Sequence, residues 1–473
     1  MPRPHPTATY GFTFLTTASA PESRKSDLLN DPVGRTLYRT AVPTTIGAIA
    51  VIMYYLVDTF FVSLLGTNEL AALGFTFPAT ILITYFGVGL GIGTSALVAK
   101  AIGRRNHLQA QEMTFASMLM GFLIGIVLII PAIASIDIVF PLLGAAPERM
   151  VLIHEFMFYW YLGMPLQLMQ FAGTAAIRAS GNARLHGQLM TAGAVLNAIL
   201  DPLLIFGLGP IPGMGIGGAA LATIIAWLFT VGVICYYLCA KEKLLCFKLP
   251  LWNHLIATWK QLFAITGPAA LANMITPIAA AILTATLAVY GPHAVAAFGV
   301  VSRIEAFIMI VVLGMSMSVP PFISQNFGAG RYDRVQQGLR MSLNFVVVLQ
   351  LVLYVVVALS APWIAQIFTR DANVQDVITT ILRILPASYA FQGMVVLSAS
   401  SFNAMHAPRN ALVTSLLRFF VLYVPLALLG NMLGGIPGLF LGAALGNVLA
   451  GLVIRYWIFS YTNNLLKVSP IPA

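Results

Sequence analysis

Charged residues are scarce in this sequence. Asp, Glu, Lys and Arg make up 8% of its 473 residues, whereas about a quarter of the residues in an average soluble domain are charged. Hydrophobic residues account for 59% of the chain. This composition excludes a soluble globular domain and indicates a protein whose main solvent is lipid.

Cysteine is also rare, and the signatures of common enzymes are missing. Cys235, Cys239 and Cys246 have no second Cys or His group at zinc-like spacing, so we expect neither a disulfide framework nor a metal centre there. The sequence has no G-x-x-x-x-G-K-S/T phosphate loop, no H-E-x-x-H pair and no G-x-S-x-G elbow. We therefore expect no enzymatic activity, no cofactor and no direct use of ATP.

The chain does contain a long series of apolar runs. Each has about twenty residues or more, enough to cross roughly 30 Å of hydrocarbon as a helix. Twelve runs are recognised, at approximately 41–64, 70–100, 113–139, 151–177, 187–207, 216–239, 261–289, 294–325, 341–368, 374–404, 409–433 and 437–460. The sequence therefore predicts an all-α membrane protein with twelve transmembrane helices.

Basic residues predict the orientation of these helices. With a cytoplasmic N-terminus, the outer loops hold mainly Arg149 and Arg370, whereas the inner loops hold Lys100, Arg104, Arg105, Arg184, Lys241, Lys243, Lys248, Lys260, Arg331, Arg334, Arg340 and Arg409. Basic loops are retained in the cytoplasm. We therefore expect a multi-pass inner-membrane protein with both termini inside. The basic loops account for the net charge of +10, so we expect the lipid bilayer, and not nucleic acid, as a partner.

The two halves of the chain repeat each other. A shift of 225 residues aligns Gly66 with Gly291, Gly74 with Gly299, Gly89 with Gly314, and Gly103 with Gly328, and a shift of 221 aligns Pro165 with Pro386. Because each unit has six helices, an even number, both copies enter the membrane from the same side. The repeat is therefore parallel, with its pseudo-twofold axis along the membrane normal.

This repeat predicts the domain organisation. We expect a polar cytoplasmic tail at 1–35, a first six-helix lobe at 36–240, a cytoplasmic connector at 241–260, a second lobe at 261–462 and a C-terminal tail at 463–473. Transporters with such halves rock about a central site. A small-molecule substrate is therefore expected in the cleft between the lobes of a monomer.

A few polar residues lie inside the first-lobe helices, where an acid is costly and is by default a functional candidate. Asp58 lies near the outer end of the first helix, and Thr223 follows the outer start of the sixth. Asn197 and Asp201 are four residues apart on the fifth helix, so they share a face. All four lie about 9 to 15 Å from the outer helix ends, and we expect them to converge.

These side chains form an all-oxygen set. Pro202 adds to it, since it lacks an N–H and leaves the carbonyl of Ala198 without its helical partner. Such a set suits a hard cation such as Na⁺, and two desolvated carboxylates equally favour a shared proton. The residues leave H⁺ and Na⁺ open, as well as a structural role in which Asp58 and Asp201 hydrogen-bond helices together.

The second half lacks this set, because Asp58 aligns with Leu283 and no acid matches Asp201. It carries Arg303 and Glu305 on the eighth helix and Arg418 on the eleventh. Residues two apart do not face each other on a helix, so each needs another partner. We interpret the three as a structural polar network, with a substrate-binding or second proton site as the alternative.

Several segments resemble the multidrug and toxic compound extrusion (MATE) transporters, from about residue 30 to 460. They are Pro43, V-D-T-F-F-V around Asp58, G-x-x-x-L-A-A-L-G from Gly66, A-I-R-A-S-G-N-A from Ala176, N-A-I-L-D-P from Asn197, G-G-A-A-L-A-T ending at Thr223, and Q-N-F-G-A-G from Gln325. The resemblance implies antiport of H⁺ or Na⁺ against an organic, often cationic, substrate.

The resemblance also implies roles for single residues. In the family, the residues matching Asp58, Asn197, Asp201 and Thr223 form a first-lobe cation site, and the first helix bends at the proline matching Pro43. Some members add a glutamate on the seventh helix and an aspartate on the tenth as a second-lobe ion site, whereas the seventh helix here has no acid and the tenth offers Gln392 and serines. One alternative function is that of a lipid or lipid-linked flippase of the same superfamily. Others, of a different class, are a channel, whose flux needs no gradient of a second ion, and a membrane enzyme.

Overall fold

The structure, a computed structural model, describes residues 27–245 and 252–468. The parts of the predicted tails at 1–26 and 469–473 therefore lie outside the described residues. The same holds for 246–251 of the predicted connector. Within the described ranges the protein is almost entirely α-helical.

The first half contains seven helices and one short hairpin. They are α1 (Val33–Ser63), α2 (Thr67–Gly103), α3 (His107–Ala134), α4 (Ile136–Leu142), α5 (Pro147–Ala179), α6 (Ala183–Phe206), β1 (Gly207–Leu208), β2 (Ile211–Pro212) and α7 (Gly215–Tyr236), which a π-helical turn extends to Lys241. The two strands pair in antiparallel register, with Gly207 opposite Pro212.

The second half contains eight further helices. They are α8 (Trp252–Ala288), α9 (Pro292–Ile308), α10 (Ile310–Gly328), α11 (Tyr332–Phe368), α12 (Ala372–Ile384), α13 (Tyr389–Ala404), α14 (Pro408–Leu416) and α15 (Val424–Val468). A π-helical segment, Leu417–Tyr423, joins α14 to α15. The chain reverses within α15 at Gly434 and Gly435, so that its two arms are separate crossings.

These helices make twelve crossings, as the sequence predicts. Ten segments are long and apolar enough to span a bilayer. One of the ten runs from Pro408 to Lys467 and contains the reversal in α15, and α5 adds a further helix of 33 residues. The helices extend beyond the predicted bounds, because hydropathy marks only the part in hydrocarbon. Thus α8 begins at Trp252, inside the predicted connector 241–260.

Two helices begin in the core of one lobe and end in the core of the other. At the start of α1, Val33 and Leu37 pack in a second-lobe cluster with Leu339, whereas Val62 at its end is buried among first-lobe residues. In the first part of the equivalent helix α8, Leu262 lies in a first-lobe cluster, and the end of that helix lies in the second-lobe core. We call this arrangement the reciprocal seating of α1 and α8.

The lobes meet closely at the end of the bundle where α1 begins and α2 ends, which we call the basic end. Gly103 contacts the backbone of Gln325, and Gly328 contacts the backbone of Lys100. A Cβ atom at either glycine would overlap the backbone of the other lobe. Gln325 also donates from Nε2 to the carbonyl of Ala179 at 2.6 Å. The basic end is therefore packed at backbone distance.

Candidate cation site in the first lobe

Helix α6 provides two of the predicted site residues. Asn197 and Asp201 are both fully buried, and Asn197 donates from Nδ2 to Asp201 Oδ1 at 3.1 Å. Pro202 lies within the same helix. Its missing N–H leaves the Ala198 carbonyl without the usual helical donor. The buried face of α6 therefore presents mainly oxygen acceptors.

Helices α1 and α7 complete the site. Tyr54 and Asp58 are four residues apart on α1 and so share a face. The Tyr54 hydroxyl and Thr223 Oγ1 on α7 are 2.8 Å apart, in hydrogen-bond contact. Asp58 is close enough to Asp201 for their charges to interact. The structure thus brings the four predicted residues together from three helices.

Three oxygen atoms of this site have no hydrogen-bond donor among the described residues. They are Asp58 Oδ1, Asn197 Oδ1 and Asp201 Oδ2, and all three are buried. Leaving a buried acceptor unpaired costs about 1–3 kcal/mol, and more when the group is charged. A proton or a hard cation would satisfy these acceptors, because oxygen ligands suit such ions. The arrangement fits cation binding.

A transition-metal site is not indicated. In the part of the chain that the structure describes, no group of three or more His, Cys, Asp or Glu residues is placed to hold a metal. The first-lobe set has two carboxylates, one amide and one hydroxyl, which are the ligand types of Na⁺ rather than of a softer metal.

Tyr54 was not identified by sequence reasoning as part of this site. Its spacing of four from Asp58 is the signal that could have identified it, since it places the hydroxyl on the Asp58 face of α1. The Tyr54 ring also packs edge-on against Tyr55, with centroids 5.1 Å apart. Tyr54 therefore joins α1 to α7 beside the acidic pair.

Tyr54→Phe is expected to lower the free energy of unfolding by about 1 kcal/mol, because it leaves buried Thr223 Oγ1 without its partner. Thermal unfolding in detergent would measure this change. Tyr38→Phe is the matched control, since Tyr38 is on the same helix and its side chain is exposed. Equal losses in the two variants would contradict a stabilising Tyr54 to Thr223 bond.

Pro43 lies where α1 packs closely against both lobes. Gly187 of α6 contacts the Pro43 backbone, and Gly314 of α10 contacts Thr45. Helix α1 is continuous from Val33 to Ser63 through Pro43. A bend at Pro43 stays a prediction, and the missing N–H of proline makes this position easier to bend than its neighbours.

The predicted second-lobe residues separate into two groups. Glu305 accepts a hydrogen bond from Gln392 Nε2 at 2.8 Å, and buried Arg418 donates from Nε to Asn447 Oδ1 at 3.0 Å. Glu305 and Arg418 also interact electrostatically. Arg303, in contrast, is exposed and makes no hydrogen bond or ion pair with the described residues.

Asn447 connects the two parts of this second-lobe network. Its Nδ2 donates to Ser388 Oγ at 3.1 Å and approaches Gln392 Oε1 at 3.5 Å. The Arg418 guanidinium lies over the Phe419 ring, 4.4 Å from its centroid. The buried guanidinium thus donates to an amide oxygen, lies on an aromatic face and interacts electrostatically with Glu305, an arrangement typical of a structural network.

Known proteins resemble this chain over most of its length. The MatE family model matches residues 43–203 and 268–429. An FAD transporter of Shewanella oneidensis is 39% identical, covering 91% of this chain and 95% of that protein. The multidrug export protein MepA of Staphylococcus haemolyticus is 22% identical, with coverages of 90% and 93%. The bent form of the Vibrio cholerae MATE transporter VcmN gives a TM-score of 0.87 at 31% identity, with coverages of 92% and 98%.

Proposed function

Because the chain belongs to the MATE family of membrane transporters, we propose that it is a secondary antiporter that exports an organic compound in exchange for H⁺ or Na⁺. The main support for coupling to a cation is the set of three buried oxygens without hydrogen-bond donors, on Asp58, Asn197 and Asp201. Among the described residues of the second lobe, no acid has a buried oxygen without a hydrogen-bond donor, and Glu305 accepts a hydrogen bond from Gln392.

Helix α1 connects ion binding to movement of the lobes. Its first turns belong to the second-lobe core, whereas its last turns carry Tyr54 and Asp58 into the first lobe. A cation that neutralises Asp58 and Asp201 removes their repulsion and lets the outer half of α1 repack. Since the base of α1 stays with the second lobe, Pro43 is where the helix bends.

We place the basic end in the cytoplasm, with both termini there, because Lys and Arg are retained on that side of the inner membrane. The lobes pack together at this end through Gly103 and Gly328, so the cleft opens to the opposite side. The proposed lobes are 36–240 and 261–462, joined by the segment 241–260. A single chain contains the whole proposed path.

The substrate has two candidate classes. Relatives named for multidrug export favour an amphipathic organic cation, the class that the sequence resemblance implies. The relative named as an FAD transporter is more similar, at 39% identity over 91% of this chain. This similarity favours a flavin dinucleotide, which is anionic, as the second candidate.

Transport in sealed proteoliposomes tests the proposed function. Ethidium and FAD are offered separately, and a pH or Na⁺ gradient is imposed alone. We expect one of the two compounds to accumulate against its own gradient, and only when the gradient of one of the two ions is present. The compound that accumulates is the substrate, and the ion that drives it is the coupling ion. Flux that is independent of either gradient would indicate a channel, and flipping of a fluorescent phospholipid without export of either compound would indicate a flippase.

Asp201→Asn is expected to weaken ion binding at least tenfold, because the site loses one of its two negative charges. Calorimetry of Na⁺ binding and of proton uptake would measure the change. Asp137→Asn, which alters an acid of the same lobe at an exposed position, should bind as the unmodified protein does. Unchanged ion binding in Asp201→Asn would place the ion site elsewhere, with Glu305 as the next candidate.

A further inference from the structure

A cluster of arginines lines a cavity where the two lobes meet at the basic end. The cavity has a volume of about 410 Å³, and its walls include Arg104 and Arg105 from the first lobe and Arg331 from the second. Gly103 and Gly328, the glycines of the close lobe contact, line it as well. Arginines from both lobes thus lie together at the lobe junction.

The positive charge of this cavity is only partly offset by acids, since Asp27 interacts electrostatically with Arg331 but forms no ion pair with it. Among the described residues, none of the three arginines has a carboxylate within ion-pair distance. Within the described ranges, Arg331 donates only from Nη1, to the Leu29 carbonyl at 2.6 Å and to Asn30 Oδ1 at 3.2 Å. Lys100 and Arg104 repel each other. The packed lobes therefore hold like charges together.

The backbone at Arg105 adopts a conformation that glycine accommodates more easily than arginine. Several helix pairs are joined by turns with a residue at positive φ, among them Arg105 (58°), Gly181 (86°), Gly330 (73°) and His406 (58°). Glycine is the usual residue after a helix C-terminus in this conformation, because a Cβ atom makes it unfavourable. Gly330 takes the place of Arg105 in the second lobe. The chain thus retains an arginine where glycine is easier.

His406 does not add charge to this region. Burial lowers its pKa to about 4, and the neighbouring positive charge of Lys100 contributes to the shift. At pH 7 His406 is therefore neutral, and the charge at the lobe junction comes from lysine and arginine alone.

We propose that this cavity binds a phosphate-bearing anion, which bridges Arg104 and Arg105 of the first lobe to Arg331 of the second. Guanidinium groups match phosphate oxygens with paired, charge-assisted hydrogen bonds. The anion neutralises the repulsion at the junction and holds the lobes together there. It therefore favours the arrangement seen in this structure and must leave when the basic end opens.

Titration with inorganic pyrophosphate tests the site. The protein in phosphatidylcholine nanodiscs should bind pyrophosphate saturably, with one molecule per chain measured by calorimetry. The double variant Arg104→Gln and Arg331→Gln should bind at least tenfold more weakly. Arg409→Gln, which alters an exposed arginine of the same end that does not line the cavity, should bind as the unmodified protein does.

Arg105→Gly separates binding from folding. Glycine adopts the positive φ of this position without strain, so the variant should unfold at the same temperature as the unmodified protein or at a higher one. Its pyrophosphate affinity should nevertheless fall. Pyrophosphate binding that is equal in all variants, or that does not saturate, would overturn the proposal.

The source of the phosphate is distinguished by the lipid. In nanodiscs that contain phosphatidylglycerol, loss of pyrophosphate binding would identify an anionic headgroup as the natural occupant. Retained binding would identify a soluble phosphate compound. In both cases the double variant must weaken, by at least tenfold, the pyrophosphate binding measured in phosphatidylcholine nanodiscs.

Discussion

Asp58→Asn is expected to abolish ion-driven accumulation of substrate while leaving the fold intact. The amide has nearly the shape of the carboxylate, and Asp58 Oδ1 has no hydrogen-bond donor to lose among the described residues. Moving one charge through 100 mV supplies about 2.3 kcal/mol, which corresponds to an accumulation of about fifty-fold. Without the charge on Asp58 this coupling is lost, and the ratio falls to about one.

Accumulation in sealed proteoliposomes under an imposed gradient measures this loss. Asp376→Asn makes the same chemical change at an exposed position of α12 and should transport normally. Thermal unfolding checks that both variants are folded. Accumulation by Asp58→Asn at the unmodified level would remove Asp58 from the coupling mechanism.

Gly103→Ala is expected to shift the equilibrium between the two access states toward the one that is open at the basic end. The added methyl group has no space, because Gly103 lies against the backbone of Gln325. Overpacking of this kind costs about 1–3 kcal/mol, equivalent to a population change of about 5- to 150-fold. The strain disappears when the lobes separate, so the population of the form that is open at the basic end increases.

Spin labels at His107 and Asp333, exposed residues of opposite lobes near the basic end, would report this shift as a longer distance. The labels require a background without the native cysteines. Gly74→Ala is the matched control, because a Cβ atom at this position of the same helix meets open space. An unchanged distance distribution in Gly103→Ala would mean that the contact yields without separating the lobes.

The sequence predicts the architecture well because hydrocarbon thickness is a strong constraint. A charge-free run long enough to span a bilayer has few alternatives to a helix, and all twelve crossings follow from that. The helix ends are less predictable. Thus α8 starts at Trp252 rather than near 261, because a helix can continue into water without any hydrophobic signal.

The candidate cation site is partly predictable for a similar reason. Spacing fixes the relation of Asn197 to Asp201, and depth along the helices suggests that Asp58 lies near them. The contact of Tyr54 with Thr223 is different. It depends on the rotation of α1 about its axis, which packing sets and the sequence pattern does not reveal.

The second-lobe network shows the same limit. A spacing of two indicates that Arg303 and Glu305 do not pair with each other, but it does not identify their partners. Those partners come from distant helices, as with Gln392 for Glu305 and Asn447 for Arg418. Arg303 has no place in the network as the structure shows it.

The reciprocal seating of α1 and α8 also affects how the protein is made. Val33 and Leu37 reach their final environment only against Leu339, about three hundred residues later in the chain. During synthesis from the N-terminus, α1 is made long before α11. Until α11 is inserted, Val33 and Leu37 lack the residues of the second-lobe core against which they pack. The α8 residue Leu262, in contrast, meets a first lobe that has already been synthesised. Helix α1 therefore reaches its final packing only after much of the second lobe has been synthesised, and a chain truncated before α11 leaves it without the second-lobe residues that it packs against.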